Sequence, residues 1–273
     1  GVFSVPATGG AATQLAAGAP LVSPFGIAIS SDDKTLYIAD ASAGYDPNDP
    51  AGSDMLGQVL TLTAAGGTPM PVASTTGYRP KGIEIWKGPS GDVVYFSGHN
   101  AATGKAGVYS MAIGTGGVST VYEGDTLIDP SGVTVAADGT VYVVNTTSPA
   151  SGTADVYKLG SNAATAVVGG IKVGYPAGLA ISQDGKTLLI SGQDRDLGTT
   201  VVHRYDLSTS TLSQSNMGID NNTDAGGLHR AKAADTFSWC GVTAGTGGQG
   251  IVYRVSFNSA AFSDGKQPFD REQ

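Results

Sequence analysis

The chain has 273 residues, of which 40% are hydrophobic and 14% charged, with 41 glycines and a single cysteine. This composition is typical of a compact folded domain and excludes a disordered chain or a disulfide-rich scaffold. Lys and Arg number 15 against 23 Asp and Glu, a net charge of −8, so nucleic acid and anionic membranes are not expected partners. Membrane insertion is not expected either, because no run of about 18 apolar residues occurs.

The first predicted element is a strand at 2–5, in a segment that extends to residue 18. The next is a hairpin, in which the Pro-Phe-Gly-led run 24–29 passes through an Asp-Asp turn into the β-rich run 35–39. A polar turn between two such runs is the usual signal of a β-hairpin. No segment has a sustained 3.6-residue apolar period, so helices longer than a single turn are not expected.

The hairpin returns along the rest of the chain, each time with a glycine near its start. These glycines are Gly26, Gly82, Gly132, Gly178 and Gly227. Their spacing of about 50 residues lies in the range of propeller blades. A second repeated strand interleaves with the hairpins and is usually followed by a turn and a weaker strand. Its six copies begin at Val2, Val59, Val108, Val156, Val202 and Val252.

These repeats predict an all-β fold, a β-propeller of four-stranded blades spanning 1–273 as one domain. Six copies of the third strand against five hairpins favour a six-bladed ring with one incomplete blade, of which 1–18 is the outer half. The inner half of that blade would then come from residues outside this chain. The alternative is a five-bladed ring in which 1–18 add an outer strand to the last blade.

The Pro-x-Gly-Ile-Ala-Ile run at 24–29, with Asp-Asp-Lys-Thr-Leu-Tyr-Ile-Ala-Asp at 32–40 and its echo at 176–191, resembles the six-bladed propeller superfamily. That group includes NHL-repeat proteins, gluconolactonase-like enzymes and strictosidine-synthase-like proteins. The motif is also similar to Tyr-Val-Thr-Asn surface-protein repeats. The resemblance covers nearly the whole chain and implies a ligand or metal site at the channel mouth, on one rim of the ring.

We call that edge the first rim; it is formed by the loops that lead into each hairpin and those that follow it. It is rich in polar and aromatic side chains, including Asp129 and Tyr175, whereas the opposite second rim consists mostly of Asp-Gly type turns. The mixture of aromatic faces, positive charge and paired acceptors suits a small polar ligand or a peptide. The predicted ligand-binding residues are Tyr78, Arg79, Lys81, His99, Gln193, Asp194 and Asp224.

Calcium is the cofactor that the resemblance suggests. A calcium site needs hard oxygen ligands to replace the water shell of the ion. In the gluconolactonase-like enzymes an Asn or Asp commonly precedes the hairpin glycine, but here those positions are Phe25, Lys81, Ser131, Ala177 and Gly226. The resemblance to a lactonase therefore fails at its metal ligands. A separate oxygen-rich loop could wrap one Ca²⁺, although exposed turns have the same composition. Its candidate ligands are Asp40, Asp46, Asn48, Asp49 and Asp54.

The remaining reactive side chains favour structural roles. His203 occupies a strand position filled elsewhere by Tyr, Phe or Leu, which predicts packing, and Cys240 is expected to be a buried, inert thiol. His229 stands in an inner-strand position that also holds Glu84 in another copy, where polar groups are unusual.

Two functions stay open, and no catalytic residue can be named. The first is an exported propeller, secreted or periplasmic, that binds a small polar molecule or a protein through the first rim. The second is a metal-assisted hydrolase or lyase of the NHL and lactonase-like group. The first asks for no residue that the chain lacks, and is preferred.

Overall fold

A computed structural model describes residues 1–45, 56–114, 116–148, 152–160, 162–194, 196, 198–220, 227–242 and 250–256. These residues form strands almost throughout, with a single 3-10 turn at Ala73–Thr75. The strands are β1 (Val2–Ser4), β2 (Thr13–Ala16), β3 (Pro24–Ile29), β4 (Thr35–Asp40), β5 (Gln58–Thr63), β6 (Met70–Pro71), β7 (Ile83–Gly88), β8 (Gly91–Asn100), β9 (Lys105–Ala112), β10 (Val118–Glu123), β11 (Asp129–Val135), β12 (Val141–Ser148), β13 (Thr153–Gly160), β14 (Ala163–Ile171), β15 (Gly178–Ile181), β16 (Thr187–Asp194), β17 (Thr199–Asp206), β18 (Thr211–Asp220), β19 (His229–Arg230), β20 (Thr236–Val242) and β21 (Gly250–Ser256).

The strands assemble into antiparallel sheets of consecutive strands. Four sheets have four strands each, namely β3–β6, β7–β10, β11–β14 and β15–β18, and β19–β21 form a three-stranded sheet. We number these sheets blade one to blade five in chain order. The first strands of consecutive blades, from β3 to β19, are in contact along the chain. The fold is therefore an all-β propeller of four-stranded blades, as the repeats predict.

The described ring has five blades, the count of the alternative prediction, and in addition a two-stranded sheet made of β1 and β2. That alternative placed 1–18 as an outer strand of the last blade, whereas β1 and β2 pair with each other and pack on blade one. Val2 and Ala16 join the core that contains Ile38 and Leu60 of that blade. On the other side, Arg254 of blade five donates from Nη1 to the carbonyl of Ala7 over 2.8 Å.

The core lies between the faces of neighbouring blades. Tyr37 and Ala39 of blade one pack with Ile83 and Phe96 of blade two, for example. Because blades one to four are covered on both faces, their strands are apolar on both sides, as in the fully buried run Val143–Val144. Within the described residues, no helix has the length and apolar character needed to cross a bilayer.

The repeated glycines are explained by how closely the inner strands approach. A Cβ on Gly26 would lie 2.7 Å from the carbonyl oxygen of Lys81 in the next blade, and one on Gly178 would lie 2.7 Å from the amide of Leu228. A Cβ on Gly82 would overlap the carbonyl oxygen of Ser131. Backbone cannot move aside as a flexible side chain can, so only glycine fits. The glycines therefore recur once per blade because each lies where the inner strand of the next blade comes close.

On the second rim, turns of adjacent blades bind one another. Asp92 accepts the amide of Ser31 over 2.7 Å, and Asp235 accepts the amide of Gln183 over 2.7 Å. Lys232 of blade five donates to the carbonyl of Ser30 over 2.6 Å and pairs with Asp33 of blade one. Lys232 thus closes the ring between its last and first blades.

Candidate binding site at the channel mouth

Side chains from four blades meet at the first rim. They are Phe25 in β3, Lys81 just before β7, Asp129 at the start of β11 and Tyr175 just before β15. The Lys81 ammonium pairs with the Asp129 carboxylate and lies 4.5 Å from the centroid of the Tyr175 ring. The rings of Phe25 and Tyr175 have centroids 6.3 Å apart. The contacts of Tyr175 with Lys81 and Phe25 join blades that are not neighbours, so they cross the axial channel, whereas Lys81 and Asp129 belong to adjacent blades. We call the four residues the mouth cluster.

The mouth cluster combines paired charges with aromatic surface in a partly dehydrated place. The side chains of Lys81 and Asp129 are 15% and 20% exposed. An ammonium over an aromatic face is attracted by the ring quadrupole, more strongly as water is removed. Burial raises the pKa of Tyr175 well above its usual range, and the negative charge of Asp129 adds to this effect. Tyr175 is therefore a neutral phenol at physiological pH.

Polar side chains in the second half of second strands hold the loops of the mouth in place. Asn145 of β12 accepts the amides of Ile128 and Asp129 over 2.8 and 2.9 Å. Asp40 of β4 does the same in blade one, accepting the amides of Val22 and Ser23 over 2.8 and 2.9 Å.

In blades two and four, the strand position that matches Asp40 and Asn145 is a glycine. It is Gly98 in blade two and Gly192 in blade four, and the loop that enters the blade packs directly on it. A Cβ on Gly192 would lie 2.8 Å from Cβ of Val173, and one on Gly98 would overlap the carbonyl oxygen of Tyr78. The backbone of the first rim is thus fixed either by an Asp or Asn side chain or by close contact with glycine.

The residues predicted to bind a ligand are spread over different surroundings. Lys81 lies in the mouth cluster, and Nε2 of His99 lies 2.9 Å from the carbonyl oxygen of Ile128, the neighbour of Asp129. Arg79 is exposed, with a left-handed φ of 44°. Tyr78 instead turns towards blade two, where its ring packs on Phe96 and Tyr109, with centroids 5.9 and 4.6 Å away.

Gln193 and Asp194 are the last two residues of β16. Asp194 is buried, and its carboxylate accepts the amide of Asp196 over 2.9 Å. The main-chain carbonyl of Gln193 accepts the amide of Gly174 over 2.8 Å. Both residues therefore shape loops of blade four. Asp224 lies outside the described residues.

For the predicted calcium loop, the structure shows only Asp40. Its buried carboxylate accepts the amides of Val22 and Ser23 and, over 3.0 Å, that of Ser42. These bonds account for its burial without a metal. Asp46, Asn48, Asp49 and Asp54 lie outside the described residues, so the calcium site stays a prediction. Over the part of the chain that the structure describes, His, Cys, Asp and Glu do not gather in a group of three or more that could hold a metal ion.

Deeper in the channel, Glu84 and His229 face each other, an arrangement that sequence reasoning missed. Oε2 of Glu84 lies 3.7 Å from Nδ1 of His229, and each side chain is 25% exposed. They come from blades two and five, so this pair also crosses the channel. Each residue stands two positions after its inner-strand glycine, and this shared offset was the available signal.

The other singled-out side chains have structural surroundings. His203 is buried, and the loss of water lowers its pKa. Cys240 was expected to be buried, but it is exposed. Trp239 next to it packs towards blade four, and the alternation of strand side chains turns Cys240 to the opposite face of blade five.

Comparisons with known proteins find similarity in structure alone. No protein-family model and no curated protein sequence matches the chain. A protein provisionally named TolB, from Agrobacterium tumefaciens, is 15% identical with a TM-score of 0.62, over 92% of this chain and 80% of that chain. A nidogen/laminin complex structure gives 10% identity and a TM-score of 0.58, over 94% and 84%. An oligogalacturonate lyase from Vibrio parahaemolyticus gives 9% identity and a TM-score of 0.55, over 92% and 70%.

At these identities the similarity shows the fold and nothing finer. The structural neighbours are β-propellers, in agreement with the blades described above. Propellers carry many unrelated functions, so function has to be argued from the mouth cluster itself.

Proposed function

We propose that this propeller is a binding scaffold that takes a small polar ligand, or a polar segment of a protein partner, at the channel mouth. One observation carries the proposal, namely that Lys81 and Asp129 form a partly dehydrated pair against the ring of Tyr175. Ligand sites commonly join a few convergent polar groups to aromatic surface in this way.

The chemistry of the cluster narrows the ligand class. Phe25 and Tyr175 offer ring faces for apolar C–H surface, while Lys81 and Asp129 offer a donor and an acceptor of opposite charge. A compound with both kinds of surface, such as an acidic sugar, uses all four residues. The structural neighbour from Vibrio is named for oligogalacturonate, which makes galacturonate a reasonable first probe.

The test is calorimetric titration with galacturonate, glucono-lactone and a short acidic peptide that has an acetylated amino terminus and no lysine. For whichever probe binds, we expect Lys81→Ala to weaken the affinity at least about tenfold, because it removes a charged hydrogen bond from a partly dehydrated site. Arg79→Ala should have a smaller effect, because Arg79 is exposed. The matched control is Lys34→Ala, which removes an exposed lysine from a second-rim turn and should leave the affinity unchanged. Equal affinity in Lys81→Ala and the wild type would place the site elsewhere.

A metal-assisted hydrolase or lyase of the NHL and lactonase-like group is a second candidate. The Glu84–His229 pair favours it, because imidazole and carboxylate are ligands that Zn²⁺ and related ions accept. Lactone or oligogalacturonate turnover that requires added metal, and that His229→Asn abolishes while His99→Asn does not, would support it. Metal-dependent turnover that survives His229→Asn would exclude this pair as its site.

A further inference from the structure

The ammonium of Lys81 is held as an external cationic ligand would be held. It has a carboxylate partner in Asp129 and lies over the face of Tyr175, which in turn contacts Phe25. One anionic group and aromatic rings are the elements of sites that recognise organic ammonium ions. Lys81 reaches them from blade two, while the other groups belong to blades one, three and four.

The groups that surround this ammonium are positioned by contacts that do not involve Lys81. Asn145 fixes the backbone of Asp129 through its amide. The backbone on either side of Tyr175 is held at two points. Gly174 donates its amide to the carbonyl of Gln193 over 2.8 Å, and Ala177 donates its amide to Oγ of Ser131 over 3.1 Å. Removing the Lys81 side chain should therefore leave the receptor groups in place.

We propose that Asp129, Tyr175 and Phe25 form a site for an organic ammonium ion, and that Lys81 is its built-in occupant. The ligand class is a primary amine on a short alkyl chain, whether free or at the end of a partner's lysine side chain. This inference rests on the proposed function in placing ligand binding at the mouth, and adds the chemical group that competes there with Lys81.

The balance of charge explains why Lys81 and a ligand amine exclude each other. One ammonium neutralises Asp129, so a second brought to the same partly dehydrated carboxylate would be unpaired. Because Lys81 is tethered at the site, a free amine must compete with a high local concentration of the same group. The wild type should consequently bind simple amines weakly, and a variant without the Lys81 ammonium should bind them better.

The experiment is chemical rescue of Lys81→Ala by n-propylammonium chloride, which replaces the atoms that the substitution removes. We expect Lys81→Ala to unfold at a lower temperature than the wild type, and propylammonium to raise its Tm by at least about 2 °C at saturation. Sodium chloride at equal ionic strength and n-propanol at equal concentration should not. In calorimetry, propylammonium should bind Lys81→Ala at least about tenfold more tightly than it binds the wild type.

Two further variants make the test specific. Lys81→Ala combined with Asp129→Asn lacks the carboxylate and should lose the rescue, whereas Lys81→Ala combined with Asp125→Asn, which changes an exposed carboxylate of the same rim, should keep it. If Lys81→Ala does not fold, Lys81→Val retains part of the apolar stem and leaves room for ethylammonium, and the comparison with the wild type is made on ethylammonium affinity. Equal affinity in the wild type and the Lys81 variant, or rescue that survives Asp129→Asn, would overturn the inference.

Failure of this inference is distinguishable from failure of the proposed function. Loss of galacturonate binding in Lys81→Ala without any propylammonium binding would refute the ammonium site alone. Propylammonium rescue in a protein that binds none of the probe compounds as wild type would support the ammonium site and count against the proposed function.

Discussion

The two ends of the channel are built from different kinds of contact. On the first rim, side chains of blades that are not neighbours meet across the axis, as Lys81 does with Tyr175. On the second rim, the contacts join turns of adjacent blades and involve backbone atoms, as between Asp92 and the amide of Ser31. A side-chain pair can be exchanged for contacts with a ligand, whereas a turn anchored through its backbone cannot change partners without opening the ring. The difference supports the proposal that the first rim serves binding, whereas the second rim holds adjacent blades together.

The largest effect should come from the ring beneath the first rim. In Gly82→Ala the new Cβ would overlap the carbonyl oxygen of Ser131, so the inner strands of blades two and three must separate. We expect a loss of about 3 kcal/mol or more in the free energy of unfolding, or no folded protein. Gly117→Ala, where a Cβ has open space, is the control. Denaturant unfolding that shows equal stability for the two variants would contradict the close packing of the inner strands.

Next in size is the side chain that anchors the loop of blade one. Asp40→Ala leaves three backbone amides, two of them entering the first rim, without their acceptor, which should cost about 3 kcal/mol. Asp40→Asn should recover much of this loss, because the amide oxygen of Asn145 accepts two backbone amides at the matching position of blade three. Thermal unfolding in EDTA and in excess Ca²⁺ completes the test. An Asp40→Ala protein as stable as the wild type without calcium would assign Asp40 to the metal instead.

A smaller effect is expected in how stability depends on pH, through His203 at the interface of blades three and four. Burial lowers the pKa of His203, so below about pH 6.5 the unfolded chain binds a proton that the folded chain does not. Stability should hold above that pH and fall as the pH drops from about 7 to 5, with a slope of at most about 1.4 kcal/mol per pH unit. His203→Leu should remove this slope, and His99→Gln should retain it. A Leu variant with unchanged pH dependence would show that another group titrates.

The smallest effect is expected at the closure of the second rim. Lys232→Ala removes the contacts to Ser30 and Asp33, but both partners of the ion pair are largely exposed, so the loss should be at most about 1 kcal/mol. The variant should bind ligands at the first rim as the wild type does. Weakened binding in a fully folded Lys232→Ala protein would contradict the proposal that only the first rim takes part in ligand binding.

The parts of the fold that the sequence predicted are those in which backbone approaches backbone. Such contacts demand glycine, so Gly26, Gly82 and their equivalents mark each blade, and the polar turns mark the hairpins. The number of blades was harder to predict. The Val2 copy of the repeated third strand and the weaker strand after it account for the pairing of β1 with β2, but no local pattern indicates that this pair packs on blade one.

The site was predicted less completely, because its contacts join loops that lie far apart in sequence. Asp129 and Tyr175 were placed on the first rim, but nothing in their neighbourhoods indicates that both would meet Lys81. Asp40 illustrates the opposite difficulty, since an acidic residue in a Gly- and Pro-rich loop looks the same whether it serves a metal or backbone amides. Glu84 and His229 could have been paired, because both occupy the same position relative to an inner-strand glycine.

The most direct test of the mouth as a binding site is amide chemical-shift mapping of the wild type with the tightest-binding compound of the probe panel. The account predicts that the shifted amides cluster at 81–82, 128–129, 131–132, 175 and 177–178, and that Lys81→Ala reduces these shifts at equal ligand concentration. Shifts concentrated in the second-rim turns at 30–34, 136–140 and 182–186, with the first rim unaffected, would contradict it.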